Sequence, residues 1–411
     1  MKIKKSKLLQ NTIMLYILII SNYIFNFITI PYQTRIMGPE IYGKIGLAFA
    51  ISVYFKLLFD FGFILSATED VSKEREDKKK ISAILSEVLY SKVLLIILGL
   101  IIFIVITLFS NTFKENKLLF FLYFIYVAID CLQPDFLYRG IENMKIITIR
   151  NVIVKFIFMI LVFIFLKKPN QYLLIPIFNI LGSFISLIWV YYDVYIKLKI
   201  KIHKSKIKNV LLCLKKSFIF FISRIATTLY GATNTLIIGL IYPTGNTLGY
   251  YTSSDKILTA SRSAVSPISD SIYPYMVKNR NFNLIKKILK ILMPIITLVC
   301  IIVFIYSKEI CILLFGDKFA GSSKVLRYMI PIIIMTLPSY LLGFPTMSPL
   351  GLKKQANYSV VIGSVFHIVS IVILYLLGIL NLDSLCILTI ITEFLILLIR
   401  LFYIFREVRQ K

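Results

Sequence analysis

The chain has 411 residues, 58% of them hydrophobic, with a mean hydropathy of +0.84 and a formal net charge of +27. That hydropathy lies outside the range of soluble domains. Apolar runs near 20 residues recur along the whole length, enough for an α-helix to cross about 30 Å of hydrocarbon; a β-barrel would instead show alternating segments of about ten residues.

In chain order, the apolar runs predict twelve membrane-spanning helices, at about 9–30, 42–66, 83–109, 118–139, 146–166, 172–195, 217–241, 249–276, 284–306, 325–350, 356–379 and 383–405. The first run is too long for the apolar core of a cleavable signal peptide and lacks a small-residue cleavage site, so it reads as the first span. With the N-terminus inside, 30 of the 47 basic residues fall in inner segments and 8 in outer loops. The charge excess therefore follows the positive-inside rule, with both termini cytoplasmic, and nucleic-acid binding is excluded as its explanation. The lysine-rich segment 197–216 falls at the midpoint, with six spans on either side. It reads as a cytoplasmic linker that sits on the anionic leaflet, between an N-terminal half (1–196) and a C-terminal half (217–411).

The two halves echo each other. The turn Ile36-Met-Gly-Pro-Glu-Ile-Tyr-Gly43 follows the first span, and Tyr242-Pro-Thr-Gly-Asn-Thr-Leu-Gly249 follows the seventh. Pro134 and Gly140 close the fourth span as Pro345 and Gly351 close the tenth. Two six-helix halves of the same orientation predict a pseudo-two-fold axis along the membrane normal, with a central cavity between them. In the tenth span Pro331, Pro338 and Pro345 recur at intervals of seven, which predicts a bent helix with its prolines on one face.

Charge at bilayer depth costs several kcal/mol, so it marks partners or watery pathways. On the second span Lys56 and Asp60 are four residues apart and predict mutual neutralisation. On the seventh, Arg224, Thr228, Gly231 and Thr235 share a helical face with Asn234 beside it. On the eighth, Asp255, Thr259, Arg262, Ser266 and Asp270 recur at helical spacing, and Lys256 adds a second cation. Lipid would not tolerate such a face, so these two helices are expected to line the pathway. Guanidinium groups favour phosphate or carboxylate, hence an anionic substrate. Asp130, Asp135, Lys92, Lys155, Arg327 and Glu393 carry further charge within spans. The five cysteines form no CxxC pair and read as small core residues. His203 lies in the lysine-rich segment, and His367 stands alone in an apolar helix.

The segments SRIATTLYGATNTLIIGL and GYYTSSDKI, together with PYQTRIMGPEIYGKIG and DFGFILSATEDVSKER, resemble the bacterial O-antigen-type polysaccharide-unit flippases of the multidrug/oligosaccharidyl-lipid/polysaccharide exporter superfamily. The resemblance covers essentially the whole chain. It implies a non-enzymatic transporter of the bacterial inner membrane that moves an oligosaccharide repeat unit, carried on undecaprenyl pyrophosphate, from the inner to the outer leaflet. Arg224, Arg262 and Lys256 would then take the phosphates or acidic sugars, and Asn234, Thr228, Thr259 and Ser266 the hydroxyls. Asp255, Asp60, Lys56 and Asp270 are the candidates for ion pairing or for coupling to a proton or Na+ gradient; no metal or organic cofactor is called for. Membrane lipids, a polysaccharide polymerase and a chain-length regulator are the implied partners. Ser253-Ser254-Asp255-Lys256 is a conservative departure from the small-acidic-basic pattern expected there. A multidrug exporter of the same superfamily would need a carboxylate- and aromatic-rich pathway for cations, and a polymerase a long outer loop. The arginines and the short outer loops disfavour both.

Overall fold

The computed structural model describes the backbone of residues 2–409, and the side chains of 10, 11, 13–222, 224, 225, 232–273, 275–407 and 409. Among the described residues every regular element is helical. The helices are α1 Lys2–Asp60, α2 Phe63–Lys73, α3 Lys78–Phe109, α4 Asn111–Glu115, α5 Lys117–Cys131, α6 Asp135–Gly140, α7 Met144–Phe165 and α8 Leu174–Tyr192. Then follow α9 Ile207–Ile241, α10 Thr247–Asn279, α11 Phe282–Ile305, α12 Ser307–Phe315, α13 Ser322–Leu342, α14 Phe344–Met347, α15 Lys353–Leu376 and α16 Leu382–Arg409. Among the described residues nine helical stretches are long and apolar enough to cross a membrane. The first, Ile13–Lys73, is 61 residues long and holds two of the expected spans. α10, which carries Asp255, Lys256, Arg262 and Asp270, is not one of the nine.

The chain is a multi-pass membrane protein, and α3 shows why. Ser82, Ser86, Ser91, Lys92 and Gly99 are buried along one stripe together with Leu85, Val88 and Leu95. Ile97, Ile101, Ile104, Val105 and Leu108 are exposed on the other side. Small and polar groups inside with large apolar groups outside is the arrangement suited to lipid.

Contacts divide the chain into two units. One comprises residues 1–37 and 47–228, the other 38–46 and 229–411. Relative to a cut at the basic linker, residues 38–46 pack with the second unit, and the first part of α9 packs with the first.

Within the second unit, residues 38–46 cross the start of α10 at backbone range. Gly38 opens the segment with φ 71°, a left-handed backbone that a side chain would strain. A Cβ on Gly249 would overlap the Pro39 carbonyl, and one on Gly43 would lie 2.7 Å from the Gly249 nitrogen. The glycines of the two echoed turns thus serve one crossing. In the first unit Gly62, with φ 81°, ends the turn after α1, and its missing Cβ lets α9 pass at Phe220 and Phe221.

The expected fourth span breaks into α5 and α6 at Pro134. The expected tenth also breaks. Pro331 and Pro338 lie inside α13, but Pro345 opens the separate short α14. The break comes at Gly343, where a Cβ would crowd Arg400 Nη1 and two carbonyls. The three prolines therefore do not share one continuous helix.

Candidate functional site

The charged residues gather into separate clusters within each unit. In the first unit, Lys56 does not pair with Asp60 four residues on; α1 ends at Asp60 and Phe61 turns to φ 39°. Instead Lys56 Nζ donates to Asp130 Oδ2 of α5 at 2.7 Å. Asp60 is approached by Lys92 Nζ of α3 and by Arg224 of α9, each at 3.9 Å. Lys92, only 4% exposed, also donates to the Cys131 carbonyl and lies over the Phe136 ring. The i, i+4 expectation fails because tertiary partners on α5 hold the ammonium more directly.

A second part of this unit was not singled out from sequence as a site. Arg150 of α7, 1% exposed, gives its Nη2 to Asp135 at 2.8 Å. Its Nε and Nη1 find no hydrogen-bond partner among the described residues. Nearby, Tyr138 donates to the buried Asp193 carboxylate at 2.9 Å. The signal in sequence was present, as Asp135 and Arg150 flank one predicted turn, but their spacing of fifteen suggests no helical neighbourhood.

In the second unit the eighth-span residues disperse. Arg262 is held by Glu393 of α16 in an ion pair. Asp255 lies within electrostatic reach of Lys256 and Arg262 and of the buried Tyr42 and Tyr251. Ser266 donates to Asp270 at 3.0 Å, both on the same helix. Thr259 is exposed. The Thr228 side chain lies outside the described residues. Ser253 and Ser254, on the conservative-departure motif, are fully buried and bond Ser322 of α13 at 2.9 and 3.0 Å, so they act as helix-packing residues.

Asn234 is 3% exposed and part of a polar network in the helix core. Its Nδ2 donates to Thr389 of α16 at 2.7 Å, and its Oδ1 faces His367 Nε2 of α15 at 2.9 Å. His367, which stood alone in the sequence, meets Thr392 through Nδ1 at 2.9 Å. No periodicity within α15 signals this, because Asn234 and Thr392 lie on α9 and α16. Beyond this network Arg400, 8% exposed, bonds Ser359 at 3.0 Å and both the carbonyl and hydroxyl of Ser339.

The arrangement thus pairs the predicted substrate cations Arg224 and Arg262 with carboxylates inside their own units. A buried cation left alone costs far more than a paired one. An anion offering better geometry than Asp60 at 3.9 Å would compete for Arg224, since charge-assisted bonds are best below 3 Å.

Comparison with known proteins adds a family. The family described as "Polysaccharide biosynthesis protein" matches residues 8–280. A protein of Escherichia coli K12 named "Putative O-antigen transporter" is 26% identical over 367 residues, covering 86% of this chain and 87% of its own. One of the same name from Shigella dysenteriae is 28% identical, covering 88% and 91%. Among solved structures, the lipid II flippase MurJ in an inward closed conformation superposes with a TM-score of 0.69 at 15% identity, covering 96% of this chain and 87% of that one. An inward-facing multidrug resistance MATE transporter superposes with 0.68 at 12%, covering 94% and 96%. At those identities the two structures establish a shared fold.

Proposed function

Because the chain belongs to the polysaccharide biosynthesis protein family, we propose that it flips an undecaprenyl-pyrophosphate-linked oligosaccharide across the bacterial cytoplasmic membrane, for O-antigen, capsule or exopolysaccharide synthesis. The observation that carries this reading is the alignment of 86% of the chain with a relative named as an O-antigen transporter. The reading takes the chain as twelve spans in two pseudo-symmetric six-helix halves, with both termini cytoplasmic and a central cavity opened alternately to each side. The polyprenyl tail stays in the bilayer while the sugar-pyrophosphate head crosses.

The ion pairs suggest how the head is recognised. Arg224 and Arg262 rest on Asp60 and Glu393. The pyrophosphate oxygens displace these carboxylates, so each guanidinium has an anionic partner with and without substrate. Lys256 contributes a third cation, and Thr228, Thr259 and Ser266 hydroxyls receive the sugars. Asn234, engaged with Thr389 and His367, contributes through the network behind the site. A polymerase and a chain-length regulator are the expected downstream partners.

Complementation of a flippase-null strain tests this reading. Wild type restores surface polysaccharide, and Arg224→Ala and Arg262→Ala restore little of it while reaching the membrane at wild-type levels. Full restoration by both variants would remove the arginines from recognition.

A further inference from the structure

One face of α16 carries an apolar stripe that ends in charge. Ile387, Ile391, Phe394, Leu398, Phe402 and Phe405 are all exposed. Their steps of four, three, four, four and three set them in line on the helix. The stripe is about 27 Å long, close to the roughly 30 Å of hydrocarbon in a bilayer. Arg409 continues it four residues beyond Phe405, and Arg406 stands at its edge, four beyond Phe402. Both arginines are exposed. With Phe402 and Phe405 they line an open groove of about 550 Å³.

The other side of the helix end is occupied. Tyr403 and Ile404 pack against Met347, Leu352 and Ala356 of α14 and α15, which holds the arginine face outward. Glu407 lies between the arginines in sequence but is turned roughly 160° from Arg409 around the helix. Among the described residues neither arginine has a hydrogen-bond or ion-pair partner. Guanidinium groups stay charged and fit phosphate oxygens through paired donors. At the depth where hydrocarbon gives way to headgroups, the phosphate within reach belongs to a lipid. A water-soluble anion would leave the phenylalanine wall bare, whereas a phospholipid covers both parts of the groove.

We propose that this groove binds an anionic glycerophospholipid of the phosphatidylglycerol type. Its phosphate accepts hydrogen bonds from Arg406 and Arg409, and an acyl chain lies along Phe405, Phe402 and Leu398. Phosphatidylcholine fits less well, because its ammonium group sits next to the phosphate and is repelled by the two guanidiniums. The site lies wholly on α16 and does not depend on what the protein transports.

General attraction of basic side chains to an anionic surface is the competing account. Lys353 and Lys354 separate the two. They are exposed at the start of α15, and the packing of Leu352 and Ala356 on Tyr403 and Ile404 puts them at the same end of the unit, off the stripe.

The test is native mass spectrometry of the full-length protein in detergent, titrated with phosphatidylglycerol or with phosphatidylcholine of the same chains. Wild type is expected to bind a first phosphatidylglycerol about ten-fold more tightly than phosphatidylcholine. Arg406→Ala/Arg409→Ala loses that preference, and Lys353→Ala/Lys354→Ala, which removes the same charge, keeps it. Inorganic phosphate at millimolar concentration leaves the lipid bound. Equal binding of the two lipids by wild type, or equal loss of preference in both double variants, overturns the proposal. Displacement by inorganic phosphate overturns it as well, since the arginines would then be reading a free anion.

Discussion

The two units handle polar groups in the membrane differently. The first pairs charge with charge: Lys56 with Asp130, Lys92 and Arg224 with Asp60, Arg150 with Asp135. The second places a neutral hydrogen-bonded core of Asn234, His367, Thr389 and Thr392 behind one ion pair, Arg262–Glu393. Ion pairs hold fixed charges and lose heavily when one partner goes. A network of hydroxyls, amide and imidazole matches donors with acceptors, and strands a hydrogen-bonding group and not a charge when one member goes. The first unit thus compensates charge with charge, and the second packs hydrogen-bonded neutral groups into its core.

Four substitutions sharpen or break that comparison. The largest effect is expected in the first unit from Asp135→Asn, which leaves the 1% exposed Arg150 without its carboxylate. The cost is about 3–5 kcal/mol, visible as a lowered unfolding midpoint in detergent; an unchanged midpoint would show that the guanidinium has another route to compensation. Next, Gly249→Ala forces a Cβ into the Pro39 carbonyl. Overpacking of about 1–3 kcal/mol should weaken the seat of residues 38–46, measured as faster proteolysis of that turn. In the second unit Asn234→Leu leaves His367 and Thr389 short of a partner, costing about 1–3 kcal/mol by the same detergent measurement. A larger loss there than for Asp135→Asn would reverse the contrast. The smallest effect of the four is expected from Lys56→Ala, because the Asp130 carboxylate it leaves behind is 25% exposed, whereas Asp135→Asn strands a guanidinium that is 2% exposed.

A fifth prediction concerns thiols outside the spans. Burial pushes the Cys311 thiol up to about 12 and the Cys213 thiol up to about 11. Both remain thiols at neutral pH, and their thiolate fraction rises only as pH approaches those values. Maleimide labelling of Cys213 at neutral pH should run on the order of a hundred-fold slower than for an exposed cysteine, and slower still for the fully buried Cys311. Rapid labelling of Cys311 would show that α12 opens.

Much of this was legible in the sequence, and the reason is physical. Helix length and lipid-facing composition are local properties, so ten of the twelve expected spans, and their Gly/Pro turns, could be read directly as long apolar helices. Gly38, Gly43 and Gly249 were visible as turn residues for the same reason. The pairing of charges was not legible. Lys56 and Asp60 obey the i, i+4 rule, yet each finds its partner on another helix, since tertiary geometry outweighs a few tenths of a kcal/mol of local attraction. His367 shows the same limit from the other side. Its helix is apolar and its partners lie 133 and 25 residues away, so no window along the chain contains the network. Arg262 was identified by its face, but the Glu393 that holds it comes from the other end of the second unit.

The most direct measurement is translocation itself. Purified protein is reconstituted into liposomes with an undecaprenyl-pyrophosphate-linked oligosaccharide, and its appearance in the opposite leaflet is followed with a membrane-impermeant glycosidase. The account predicts protein-dependent movement, lost in Arg224→Ala and Arg262→Ala and retained in Lys56→Ala. Movement no faster than in protein-free liposomes, or equal movement in the arginine variants, would contradict it.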